Sequence, residues 1–253
     1  MTIKAITFDF WSTLYEAKTV DYTQRLYQLK AIVEQFSDHT FELEQFQAAV
    51  NEARETWRRT WLEEYRTLTA DDWLQIALKK LGVLLAPEHF FSIKIILERS
   101  VLNDLPTPVP EVKTALADLS AQYQLAIISD TGLTPGRILR QVLENDNLAP
   151  YFTHFTFSDE VGRSKPHALA FLTTLEALGV KPNEAAHVGD LLHTDIVGAQ
   201  QVGMRAVQYI GVNEDTEDNC PASCTTTVIP DGVIKSHTEL APLLRQWNSQ
   251  PQP

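Results

Sequence analysis

Five side chains able to do chemistry stand at or just beyond short, recognisable stretches of the chain. They are Asp9 in ITFDFWSTL, Ser129 in LAIISDTG, Lys165 in GRSKPHA, and Asp190 with Asp195 in HVGDLLHTD. Brought together they would supply a carboxylate that can attack, a hydroxyl and an ammonium that can hold an anion, and two more carboxylates. Three of the stretches follow apolar, β-branched runs that read as buried strands, Ile3–Phe8, Leu125–Ile128 and Ala185–Val188. Lys165 stands in a loop before Pro166, a residue suited to the first turn of a helix. In an open parallel sheet, the loops beyond the carboxyl ends of the strands converge on one crevice, where ligands bind. The spacing therefore predicts a single site.

The elements that must position these residues divide by periodicity. Between Asp9 and Ser129 lies a stretch of helical patterns with no convincing strand. Tyr22, Leu26, Leu29, Val33 and Phe36 form one apolar face, and Phe46, Ala49, Ala53, Trp57, Trp61 and Tyr65 a second. A third helix is expected from an N-cap at Thr69 through Trp73, Ile76 and Ala77 to Gly82, and a fourth from Pro87 with Phe91, Ile95 and Val101. Pro106, Pro108 and Pro110 mark a linker back. From Glu111 onward helix and strand alternate. Helices are expected at Val112–Leu119, Thr134–Leu143, Pro166–Leu178, Thr194–Val202 and Thr238–Trp247. Strands are expected at Gln124–Ser129, His154–Phe157, Ala185–Gly189, Arg205–Ile210 and Thr226–Ile229. This predicts an α/β fold, a doubly wound parallel sheet built from residues 1–15 and 106–253, with an α-helical cap over 16–105.

The four stretches, in this order, resemble the motifs of the haloacid dehalogenase superfamily, aspartate-nucleophile hydrolases that are mostly magnesium-dependent phosphatases. The first family motif, D-x-D-x-T, is matched by Asp9-Phe10-Trp11-Ser12-Thr13 except that Trp11 replaces the second Asp. The resemblance implies a Rossmann-like core, a small helical cap, and a small phosphorylated metabolite as substrate. It implies Asp9 as nucleophile, Ser129 donating to a phosphate oxygen, and Lys165 bridging that phosphate and Asp9. It also implies a Mg²⁺ site drawn from Asp9, the carbonyl of Trp11, Asp190 and Asp195, with Asp195 acting from behind on a metal-bound water or neighbouring ligand. Thr13 is expected to lock the turn after Asp9 through a side-chain to backbone bond. Asp130 follows Ser129 where the family often has Asn, and carries no assigned role.

Charge supports the metal without the resemblance. Three acids against one Lys leave about two negative charges, which would repel a phosphate unless a divalent cation offsets them, and oxygen ligands suit Mg²⁺. Trp11 is the main departure. The family's Asp here protonates the leaving oxygen, whereas an indole N–H cannot give up its proton. The superfamily's 2-haloacid dehalogenases also carry an aromatic residue here, but they lack the acid-rich last motif. A carbon–halogen hydrolase and a non-catalytic ligand- or partner-binding descendant therefore stand as alternatives to a phosphatase that is slow or limited to good leaving groups. Cap arginines Arg25, Arg54, Arg58, Arg59 and Arg66 are candidates for choosing the substrate.

Composition narrows the setting. The chain has 253 residues, 44% of them hydrophobic, enough for a large core or a core plus a smaller domain. Its net charge of −12, from 33 acids against 21 Lys plus Arg, argues against a nucleic-acid or anionic-membrane partner. No apolar stretch approaches the ~18 residues of a membrane span, the first run is too short for a signal peptide, and the cytoplasm is the expected compartment. Cys220 and Cys224, spaced Cys-x-x-x-Cys in a polar segment, read as two loop thiols.

Overall fold

The computed structural model describes residues 2–16, 22–213 and 228–249. Strand β1 (Ala5–Phe8) is followed by four helices, α1 (Tyr22–Ser37), α2 (Leu43–Glu64), α3 (Ala70–Leu81) and α4 (Pro87–Arg99). The chain then runs α5 (Val112–Ser120), β2 (Gln124–Ser129), α6 (Gly136–Asn145), β3 (His154–Phe157), the single turn α7 (Ser158–Val161), α8 (Ala168–Leu178) and β4 (Ala185–Gly189). A wide π-type turn at Leu192–Ile196 leads into α9 (Val197–Gln201), followed by β5 (Arg205–Tyr209), β6 (Gly232–Ile234) and α10 (Leu240–Ser249).

The described strands form one parallel sheet in the order β3-β2-β1-β4-β5-β6. Alternation along β1 decides which helices cover each face. Ile6 and Phe8 point into a cluster with Val112, Leu116, Ile138, Leu139, Leu240 and Leu244, so α5, α6 and α10 cover that side. Ala5 points the other way with Phe171, Leu175, Ile196 and Ala199, placing α8 and α9 opposite. The small side chains of Ala5, Ala126, Ala185 and Ala206 on this second face let its helices approach closely.

The helices between β1 and α5 hold an apolar cluster of their own, centred on Phe46, Ala49, Ala53, Trp73, Leu74, Leu78 and Ile93. Thr69 caps α3 as expected: its hydroxyl accepts from the Asp72 amide, and Asp72 accepts from the Thr69 amide. Two expectations fail here. In α4 the buried residues include Ile93 and Leu97, while Phe91 is 59% exposed. Tyr65 does not continue the face of α2; it terminates the helix in the left-handed region, with φ 51°. The outgoing and returning strands of chain are stitched together: the Glu16 amide donates to Thr107 O and the Val109 amide to Leu14 O.

Two more boundaries differ from expectation. Pro166 lies outside α8, which starts at Ala168 with the His167 side chain accepting from the Leu169 amide. The last strand is Gly232–Ile234; of the expected Thr226–Ile229, Val228 and Ile229 are not in a strand and the other two lie outside the described residues. Cys220 and Cys224 also lie outside them. No described helix is long and apolar enough to cross a membrane.

Candidate active site

Strand register converges the motifs. Phe8 pairs with both Ile127 and Val188, and the Asp9 amide donates to Val188 O at 2.9 Å. Asp9 therefore leaves β1 beside the end of β4, where Gly189 and Asp190 follow. Asp9, Lys165, Asp190 and Asp195 line one cavity of about 810 Å³. Its floor is the carboxyl edge of the sheet, and its roof is one face of α2, which contributes Asn51, Arg54, Glu55, Trp57, Arg58 and Trp61. The helix repeat explains this double use: Phe46, Ala49, Val50 and Ala53 bury one side of α2, leaving the other above the floor. Trp57 and Trp61, expected in the apolar face of the cap, thus line the cavity.

Lys165 is the centre of the floor. Its ammonium donates to Asp9 Oδ1 at 2.5 Å and to Asp195 Oδ1 at 2.6 Å, and all three residues are buried. Asp195 is held from the other side as well, by His187 Nε2 at 3.0 Å and the Leu191 amide at 3.0 Å. His187 Nδ1 meets Thr7 Oγ1 at 2.8 Å. Burial pushes the His187 imidazole down, keeping it neutral, so the partners assign Nε2–H as donor to Asp195 and Nδ1 as acceptor from Thr7. Burial alone would raise the Asp195 carboxyl, but the Lys165 ammonium and the His187 bond outweigh it and hold Asp195 ionised. Asp195 is thereby committed to Lys165 and His187, which sets it apart from the open carboxylates expected around a metal.

The other two acids sit differently. Burial, with added repulsion from Asp195, pushes Asp9 up to about 7 against the pull of Lys165. Burial followed by repulsion from Asp195 and Asp9 pushes Asp190 up to about 8. Both would be relieved by a further positive charge between them, and they face the same space. Among the described residues no three His, Cys, Asp or Glu side chains gather in a metal-holding group. Two carboxylates plus main-chain oxygen and water nevertheless suit Mg²⁺, which ordinarily takes one or two carboxylates and keeps several waters.

Three expected roles are not seen in this geometry. Ser129 is buried, outside the cavity lining, and its hydroxyl donates to Asp130 O at 3.2 Å. The residues that line the cavity after β2 are Asp130 through Thr134. Thr13 does not lock the turn: its hydroxyl is buried with no hydrogen-bond partner. The turn is instead closed by main chain, with the Leu14 and Tyr15 amides donating to Phe10 O, and by His237 Nε2 against Thr13 O at 2.7 Å. Of the five cap arginines, Arg54 and Arg58 line the cavity and the other three do not.

Asp130 acquires partners that the sequence did not reveal. Its Oδ1 accepts from the Lys165 amide at 2.9 Å and its Oδ2 from the Trp61 indole at 2.8 Å. One side chain thus joins the roof helix to the loop carrying the ammonium. His187 was also missed, although a histidine in the otherwise apolar strand AAHVG is a visible anomaly. Gly189 matters by absence of a side chain: a Cβ there would stand 2.3 Å from Asp195 Cγ.

The haloacid dehalogenase-like hydrolase family model matches residues 3–203. The chain belongs to this family. Glyceraldehyde 3-phosphate phosphatase of Pyrococcus furiosus is 38% identical over 102 residues, covering 40% of this chain and 41% of that one. The protein of the same name from Methanopyrus kandleri is 25% identical over 248 residues, covering 96% and 98%. Among solved structures, a HAD phosphatase from Thermococcus onnurineus has a TM-score of 0.65 at 24% identity, covering 96% of this chain and 98% of that chain. A 2-haloacid dehalogenase from Pseudomonas syringae has a TM-score of 0.64 at 23% identity, covering 97% and 100%. The fold therefore does not choose between the two chemistries, and the site must.

Gly189→Ala should force Asp195 out of place, because the contact lies far inside van der Waals distance. Overpacking of this kind costs about 1–3 kcal/mol. A urea titration should show the loss, and an unchanged midpoint would mean that Asp195 is not held against Gly189.

Proposed function

We propose that this hydrolase is a magnesium-dependent phosphatase acting on a small phosphorylated molecule, with Asp9 as nucleophile and residues 16–105 as its cap. The observation that carries the reading is the pair Asp9 and Asp190: two carboxylates in one cavity, both destabilised as anions by burial and then by negative neighbours, with Lys165 already committed. A dehalogenase that works without a metal would carry Asp190 as an electrostatic liability. The phosphatase names of the sequence relatives support the same choice.

Asp9, Asp190 and the carbonyl of Trp11 are the residues that would hold Mg²⁺. When bound, the ion supplies positive charge to offset these carboxylates and the phosphoryl oxygens. With Oδ1 of Asp9 held by Lys165, the other carboxylate oxygen is left to attack a phosphorus bound on the floor, opposite its leaving oxygen. The product of that step is an aspartyl phosphate on Asp9, which water then cleaves. Asp195 and His187 act as positioning residues, holding the ammonium at the nucleophile. Ser129 ends β2, and the residues after it, Asp130 to Thr134, line the part of the cavity beside Asp9 and Lys165.

Asp9→Asn should abolish turnover yet leave the fold intact, since Lys165 keeps Asp195 as a partner. Near-UV circular dichroism and a phosphate-release assay check this, and hydrolysis at the wild-type rate would exclude the covalent route. Trp11 lines the cavity and donates no proton. Trp11→Asp should raise the rate on alkyl phosphates more than on aryl phosphates, within the roughly 10²–10⁴-fold that acid catalysis gives. An identical leaving-group dependence in both proteins would show that another group supplies the proton.

A further inference from the structure

Four of the protein's five tryptophans, Trp11, Trp57, Trp61 and Trp73, line the one cavity that contains Asp9. Trp57 and Trp61 lie one helical turn apart on α2, stacked with ring centroids 5.5 Å apart and planes at 15°. Trp61 is fixed further by its bond to Asp130 and by an edge contact to His193, with centroids 5.7 Å apart. Trp57 packs against the apolar cluster of the helices and also lines the cavity, and its Nε1 is buried without a hydrogen-bond partner, so the part of the ring a ligand meets is apolar. A volume of about 810 Å³ lies in the upper part of the roughly 300–1,000 Å³ usual for small-molecule sites, far more than a phosphoryl group needs.

A second observation, independent of the roof, concerns the leaving group. Trp11, two residues past Asp9, lines the same cavity, and its indole cannot supply a proton to a departing oxygen. The site thus favours an oxygen that leaves as a stable anion. A phenolate is such a leaving group, and its ring is the kind of surface that indoles bind.

We infer that the substrate is an aryl phosphate monoester, its ring held against the Trp57 and Trp61 side of the cavity and its phosphoryl group on the Asp9 floor. This rests on the phosphatase reading and names its substrate class. In the first step an Asp9 oxygen forms a bond to phosphorus while the bond from phosphorus to the phenolic oxygen breaks. The electron pair departs with the phenolate, which takes its proton from solvent. Water then attacks the aspartyl phosphate, releasing inorganic phosphate and a proton and restoring the Asp9 carboxylate.

The test compares ligands that differ in the ring, using the full chain with magnesium chloride. Phenylphosphonate should bind several-fold to about tenfold tighter than methylphosphonate, as expected for one aromatic contact, and should quench tryptophan fluorescence. Trp57→Leu should shrink that ratio, and Trp57→Phe should restore most of it. In turnover, 4-nitrophenyl phosphate should have a lower KM than acetyl phosphate, which also has a good leaving group but no ring. Equal affinity for the two phosphonates, or a ratio unmoved in a folded Trp57→Leu protein, would overturn the aryl assignment even if both phosphates are hydrolysed. Tight phenylphosphonate binding with hydrolysis of neither phosphate would retain the ring site and remove the phosphatase reading instead.

Discussion

Lys165 is buried between Asp9 and Asp195, and much of the architecture around it serves to keep that ammonium charged and in place. A buried charge is tolerated only when paired, and removing one partner of such a pair costs about 3–5 kcal/mol. Here burial would lower the Lys165 pKa, but Asp195, Asp9 and Asp130 together raise it well above its ordinary value. Asp195 in turn requires His187, which requires Thr7, so the chain of contacts reaches from the floor of the cavity into the second strand face. Gly189 exists at its position because Asp195 needs the space. The same cluster leaves Asp9 and Asp190 short of positive charge, which is the physical argument for a cation there.

The roof is tied to this floor through a few polar contacts. Asp130 accepts from Trp61 and from the Lys165 amide, and the Ser164 amide donates to Tyr65 O at 2.8 Å. The left-handed conformation of Tyr65 ends α2 where that carbonyl can meet the loop. Arg137 of α6 also pairs with Glu98 of α4 on the far side. The helix that roofs the cavity is therefore bonded to the segment that carries Lys165. The roof of the cavity and the placement of Lys165 are parts of one hydrogen-bond network.

Much of this was legible in the sequence because it depends on local pattern. The β-branched runs before Asp9, Ser129 and Asp190 became β1, β2 and β4, and Thr69 with Gly82 bounded α3. What was not legible depends on contacts distant in sequence. Thr13 looked like a turn lock, but the turn is closed by main chain and by His237, 224 residues away. Asp130 looked unexplained until Trp61, 69 residues earlier, supplied its partner. Trp57 and Trp61 fitted the apolar face of a helix, and periodicity alone could not show that this side of α2 looks onto a cavity. Phe91 failed for the reverse reason: apolar spacing in α4 allows two faces, and packing against α1 and α3 selected the one with Ile93 and Leu97.

The central claim is that Asp9 carries the phosphoryl group during turnover. Acid quenching of the enzyme mixed with 4-nitrophenyl phosphate and magnesium, followed by borohydride reduction and peptide mass spectrometry, addresses it directly. The account predicts reduction of the aspartyl phosphate to homoserine at position 9, absent when substrate is omitted. Steady turnover with unmodified Asp9, or with the label on another residue, would contradict it.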